Sequence, residues 1–186
     1  MQSDPGTPPY PGLTPLWTPE QIAERVAALA DEIDRDFASN PPVLVGALKG
    51  AFIFLADLSR QIHLPVEIEF MRLSSYDSGT ESSGEVKVAW GPDQAAIQGR
   101  PVIVVEDIVD TGLTTNTALE YLRQMRPSSL SVCTLLDRPE RRTVDVKADY
   151  AGFTFSDHFV VGYGLDLDQK YRGLPGIWGL EPDALP

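Results

Sequence analysis

The sequence predicts an α/β fold, a mainly parallel sheet covered by helices on both faces. Residues 43–48, 102–105 and 130–136 are short apolar runs, which read as strands buried on both faces. Segments with helical spacing stand between them, and polar turn-forming residues follow the carboxyl end of the second run.

Taken in order, residues 1–16 are rich in Pro and Gly and read as a flexible lead-in, with residues 17–186 forming one domain. A helix starts at Thr18-Pro19-Glu20-Gln21: Thr18 caps it, Pro19 suits the first turn and Gln21 closes a capping box. Ile22, Val26, Leu29, Ile33 and Phe37 then form one apolar stripe, and Asn40-Pro41-Pro42 ends the helix. A second helix is expected over residues 51–62. Val66, Ile68 and Phe70 alternate with Glu67, Glu69 and Met71, a strand with one wet face. Residues 74–85 are polar and aperiodic, a loop length that is usually functional or disordered, and residues 86–90 read as a returning strand. A helix over residues 114–125 follows the second buried run. Residues 150–155 and 159–161 are weaker strand candidates. Trp17, Trp90 and Trp178 read as packing anchors, and His63 and His158 as structural or surface residues.

The chain has 186 residues with 42% hydrophobic content, enough for a core. No apolar run is long enough to span a bilayer, and the first residues lack the pattern of a secretory signal. One cysteine, Cys133, allows no internal disulfide and suits a cytoplasmic location. A formal net charge of -12 disfavours nucleic acid and anionic membranes as partners. A site for an anion must therefore find its positive potential in backbone amides, a few fixed cations or a metal.

The segment that points to chemistry is Val102-Ile103-Val104-Val105-Glu106-Asp107-Ile108-Val109-Asp110-Thr111-Gly112-Leu113-Thr114-Thr115. A buried strand ends in adjacent carboxylates, a turn adds a third carboxylate with hydroxyls and a glycine, and a helix begins. In open α/β sheets ligands sit at this end of the strands. Free amides and the helix dipole favour a phosphate there, and the hydroxyls of Thr111, Thr114 and Thr115 can donate as well. Phosphate alone would be repelled by the acids, whereas ribose hydroxyls or magnesium would not, so the pattern calls for a sugar phosphate.

This stretch resembles the phosphoribosyl-pyrophosphate (PRPP) motif of type I phosphoribosyltransferases. Further matches, in order, are Val45-Gly46-Ala47-Leu48-Lys49-Gly50, Arg72-Leu73-Ser74-Ser75-Tyr76, Leu135-Leu136-Asp137-Arg138-Pro139, Phe159-Val160-Val161-Gly162-Tyr163-Gly164-Leu165-Asp166 and Gln169-Lys170-Tyr171-Arg172-Gly173-Leu174-Pro175. In detail the chain is similar to the bacterial hypoxanthine phosphoribosyltransferases. The resemblance implies a type I phosphoribosyltransferase fold, with a mainly parallel sheet of about five strands and a small hood made by the chain ends. It implies purine salvage: transfer of the phosphoribosyl group from PRPP to hypoxanthine or guanine, with Mg2+.

By the same resemblance, Asp110 is the acid/base at purine N7. Glu106 and Asp107 face the ribose hydroxyls and magnesium. Asp110, Thr111, Gly112, Leu113 and Thr114 wrap the 5-phosphate, Leu48, Lys49 and Gly50 form the pyrophosphate loop, often with a cis peptide, and Ser75 and Tyr76 belong to a lid. Phe159 stacks on the base, Val160 meets its edge through the backbone, Asp166 binds a second magnesium at the purine side and Arg172 holds pyrophosphate. Arg138 stands where the family usually has lysine donating to the 6-oxo oxygen. A homodimer or homotetramer is also implied. The alternatives are a nucleotide-sensing RNA-binding regulator on the same fold, or a transferase for xanthine or adenine. Against the regulator, Arg141-Arg142 is the densest basic pair.

Overall fold

The computed structural model describes Tyr10 and residues 12–75, 86–156 and 159–180. Helix α1 (Pro19–Asp36) starts as the sequence predicts: the Thr18 hydroxyl accepts from the Gln21 amide at 3.3 Å, and Gln21 Oε1 accepts from the Thr18 amide at 2.9 Å. Its buried stripe is Ile22, Val26, Leu29, Ala30 and Ile33.

Strands β2 (Val43–Leu48), β3 (Glu67–Ser75), β4 (Val86–Trp90), β5 (Pro101–Val109), β6 (Ser129–Asp137) and β7 (Tyr150–Thr154) form a six-stranded sheet in the order β4-β3-β2-β5-β6-β7. All neighbours are parallel except β4, which returns antiparallel to β3. Helices α2 (Phe52–Gln61), α3 (Gln94–Ile97) and α4 (Leu113–Arg123) complete the layers. Alternation along the buried strands divides the core. Leu44, Ile103, Val105 and Leu135 join α1 and α2 on one face, and Val43, Val45, Val102 and Val104 join α4 on the other. This two-sided burial explains why the runs are largely apolar rather than alternating.

A second sheet, the hood, has three strands in the order β1-β9-β8, all antiparallel: β1 (Leu13–Trp17), β8 (Phe159–Val161) and β9 (Ile177–Leu180). It corrects the lead-in, since residues 13–16 belong to β1, with Leu13 buried opposite Leu180. The partner strand lies more than 160 residues away, as the Leu13–Leu180 pairing shows, so no local signal could reveal it. Residues 1–9, the rest of the expected lead-in, lie outside the described residues.

The expected faces of β3 are also corrected. Met71 is fully buried, while Ile68 (43%) and Phe70 (39%) are exposed. Here β3 lies next to the sheet edge, and Phe70 stands beside Gly46 and Leu55 of α2 while keeping part of its surface exposed. Trp90, on edge strand β4, is 48% exposed and anchors no core. Trp17 stacks on Phe153 at 4.9 Å, and Trp178 is buried.

Replacing the cap of α1, Thr18→Ala, is expected to lower stability by about 1 kcal/mol, read as a fall in the urea midpoint at unchanged slope.

Candidate active site

The site forms where β5 leaves the core. Val105 is fully buried, Glu106 nearly so, and the chain then turns through Asp110, Thr111 and Gly112 into α4. Gly112 has φ 85°, a left-handed conformation that favours glycine, and a Cβ there would meet Val144 at 3.0 Å. No side chain caps α4, so the first amides of the helix are available to an anion.

The two consecutive acids turn apart. Glu106 faces α4, where the Thr115 hydroxyl donates to its Oε1 at 3.4 Å. Thr115 is therefore buried against Glu106 rather than offered to a ligand, which corrects its expected role. Burial first, and the charge of Asp107 second, push Glu106 up to about 8 against the pull of the Thr115 hydroxyl. Asp107 faces Gly50: a Cβ on residue 50 would lie 1.7 Å from its Oδ2. Burial raises Asp107 to about 6, opposed by the amides of Ile108 and Asp107 and by the charge of Arg172.

Gly50 and Gly164 also meet, since a Cβ on Gly164 would lie 2.1 Å from the Gly50 carbonyl oxygen. This brings the β2–α2 loop against residues 164–172. The Leu48–Lys49 peptide is cis. Lys49 Nζ donates to Gln169 Oε1 at 3.1 Å. Arg172 donates to the Gly164 carbonyl at 2.7 Å and to Gln169 Oε1 at 3.2 Å, and pairs with Asp166 Oδ1 at 2.8 Å. The other Asp166 oxygen accepts from the Gln169 amide at 2.8 Å.

Beside this cluster lies a cavity of about 300 Å³ lined by Asp107, Ile108, Asp110, Arg138, Arg141, Phe159, Val160, Leu165 and Asp166. Phe159 leaves 43% of its surface exposed, while Val160 is buried. Arg138 donates from Nε and Nη2 to the Ser156 carbonyl at 2.9 and 2.6 Å, with its guanidinium 5.0 Å from the centre of the Phe155 ring. Asp110 Oδ2 lies 3.4 Å from Arg141, and Asp110 Oδ1 is buried with no partner among the described residues.

The residues singled out in sequence thus converge on one end of the sheet. Asp107, Asp110, Arg138, Phe159, Val160 and Asp166 share the cavity. Leu48, Lys49, Gly50 and Arg172 border it, and Thr111, Gly112, Leu113 and Thr114 open α4 beside it. Glu106 lies behind Asp107 and does not line the cavity. Ser75 ends β3, and Tyr76, with residues 77–85, lies outside the described residues, as does His158. Sequence reasoning missed Arg141, which lines the cavity, and Gly164 and Gln169, which join the β2–α2 loop to residues 164–172. The positive φ of 102° at Gly164 has no local signal beyond the residue type.

Comparison with known proteins agrees with this geometry. The family described as the phosphoribosyl transferase domain matches residues 18–168. A hypoxanthine-guanine phosphoribosyltransferase of Mycobacterium avium is 48% identical over 181 residues, covering 93% of this chain and 89% of the relative. One from Bacillus subtilis (strain 168) is 42% identical, covering 90% and 92%. A solved hypoxanthine phosphoribosyltransferase from Staphylococcus aureus superposes with a TM-score of 0.87 at 40% identity, covering 94% of this chain and 95% of that one. With the family matched along most of its length, the chain belongs to the phosphoribosyltransferases.

Proposed function

We propose that this protein is a purine salvage enzyme that transfers the 5-phosphoribosyl group of PRPP to hypoxanthine or guanine, giving IMP or GMP and pyrophosphate. The observation that carries the reading is the shared cavity: an acid with an unpartnered oxygen, a fixed cation and an exposed aromatic ring stand together beside an uncapped helix start. The relatives' activity agrees with it.

In this reading the 5-phosphate rests on the amides and hydroxyls of residues 110–114, with Gly112 allowing the close turn. Asp107 faces the ribose side, with Glu106 behind it against Thr115. Pyrophosphate lies toward Leu48, Lys49 and Gly50 and is reached by Arg172, with Ser75 and Tyr76 in a lid that excludes water. The base stacks on Phe159 and meets the Val160 backbone, and Arg138 donates to its 6-oxo oxygen. The purine nitrogen bonds to ribose C1 as the bond from C1 to pyrophosphate breaks. The proton of the base leaves through N7 to Asp110, whose negative charge also favours a cationic sugar.

Magnesium fits this donor set. Two adjacent buried acids with raised proton affinity lack full neutralisation by protein cations. No group of three ligating side chains stands together among the described residues, which suits an ion that takes one or two carboxylates plus substrate oxygens. Asp107 would hold it on the ribose side, with the Glu106 carboxyl behind it adding to the local negative potential when ionised. Asp166, whose oxygens keep free lone pairs beside Arg172 and the Gln169 amide, would hold a second ion. Magnesium bound there neutralises the pyrophosphate and eases its departure.

We place the protein in the cytoplasm as a homodimer or homotetramer without nucleic acid or membrane partners. The net charge of -12 disfavours polyanions, no described helix is long and apolar enough to cross a membrane, and exposed Phe52, Ile68, Phe70 and Trp90 offer apolar surface for self-association.

Purified protein with magnesium and PRPP is expected to convert hypoxanthine or guanine to the nucleotide in a panel that also holds xanthine and adenine; failure with all four rejects the reading. Asp110→Asn is expected to cut kcat by about 10²- to 10⁴-fold while changing the Kd for IMP far less, and an unimpaired kcat removes Asp110 from its role. A third expectation concerns pH. The folded chain holds the Glu106 proton to about 8, above the usual 4.5, so wild-type stability without metal is lost as pH rises between those values. Glu106→Gln lacks this loss. In chelator its Tm should therefore gain on wild type between pH 5 and 8, and magnesium with PRPP should narrow the gap; a constant difference in chelator contradicts the assignment.

A further inference from the structure

The Arg141–Arg142 pair has no part in the roles above, yet both side chains converge on Asp110. Arg142 is largely buried, its side chain 13% exposed, on the connection between β6 and β7. Its Nη1 donates to the carbonyls of Val109 and Asp110 and reaches that of Arg138 at 3.4 Å. Its Nε donates to the Val146 carbonyl at 3.2 Å, and its Nη2 pairs with the Asp137 carboxylate. The same connection holds the turn from behind. The Arg138 amide donates to the Val109 carbonyl at 3.0 Å, and Thr143 donates to the Thr111 carbonyl from its amide at 3.0 Å and its hydroxyl at 3.3 Å. Arg141 approaches from the cavity side, 3.4 Å from Asp110 Oδ2, while Asp110 Oδ1 stays buried without a partner among the described residues.

We infer that Arg141 and Arg142 are positioning residues that aim the Asp110 carboxylate at the base: Arg142 fixes its main chain, and Arg141 orients the carboxylate from the cavity side through its accessible oxygen, Oδ2. A carboxylate on a turn of this kind has two free side-chain torsions and no cap to hold it. A guanidinium can bond several carbonyls at once from one rigid plane, which an ammonium cannot. The inference rests on Asp110 being the acid/base of the proposed reaction.

The test is a double-mutant cycle: Arg141→Gln, Arg142→Lys and Arg142→Met, each alone and with Asp110→Asn, measuring kcat and the KM of base and of PRPP. Arg141→Gln and Arg142→Lys are expected to lower kcat by about 10- to 100-fold, the scale of a small misplacement of a reacting group. With Asp110→Asn already present, the same changes should cost less than about twofold, because nothing remains to be aimed. Arg141→Gln should leave the KM of PRPP unchanged. Arg142→Met could unfold the turn, but the Arg141 side chain is 54% exposed and its loss leaves the fold intact, checked by Tm. Equal losses in both backgrounds, or a wild-type kcat in Arg141→Gln, overturn the inference. A wild-type protein without turnover sinks the functional reading itself, whereas active wild type, impaired Asp110→Asn and unimpaired arginine variants sink this inference alone.

Discussion

Two neighbouring carboxylates are taken out of water at the end of β5, and much of the surrounding structure follows from that burial. A buried carboxylate without a full complement of partners is costly, so Glu106 and Asp107 hold their protons to higher pH than free side chains do. The strand can impose this because it is central in the sheet, with β2 on one side and β6 on the other, and Glu106 itself sits in register with Thr134. The Asp107 carboxylate then leaves no room for a side chain at residue 50, and the Gly50 carbonyl leaves none at residue 164. Three separate segments meet only because two of them carry glycine at the contact.

The same crowding organises the positive charge. In a chain of net charge -12, attraction for a polyanion depends on a few local groups. Arg172 and Lys49 are engaged with residues 164–169 through the Gly164 carbonyl, Asp166 and Gln169. Those contacts place the cations beside the acids, at the loop where the proposed pyrophosphate would lie. They also set a competition, since an anion must offer Arg172 more than Asp166 already does. Being partly exposed, that ion pair is weak enough to be exchanged.

Local signals were the legible part of the sequence. The Thr18 capping box, the apolar stripe of α1 and the largely apolar runs of β2, β5 and β6 describe themselves within a few residues, and so does the acidic turn before α4. What stayed hidden depends on partners far away in the chain. Strand β1 exists because it pairs with β9, and Ile68 and Phe70 stay exposed on a strand next to the sheet edge. Glu106 and Asp107 were legible as a pair, but not their separation toward Thr115 and Gly50. Arg142 entered only as half of the densest basic pair, because nothing within its own segment shows that four carbonyls and the Asp137 carboxylate surround it.

The cavity is assembled from layers that the chain visits at different times. The main sheet carries Asp107 and Asp110, while the hood carries Phe159 and Val160 on β8, held through β9 to β1. The β6–β7 connection joins them: Arg138 bonds the Ser156 carbonyl and lies over Phe155, a few residues before Phe159, and Arg142 bonds the Arg138 carbonyl as well as that of Asp110. Where the resemblance implies a flexible lysine, this chain has a planar guanidinium already fixed by two hydrogen bonds to one oxygen. Its orientation is therefore set by Phe155 and Ser156, not by its own torsions alone, so changing residue 138 without its carbonyl anchor alters a geometry as well as a charge.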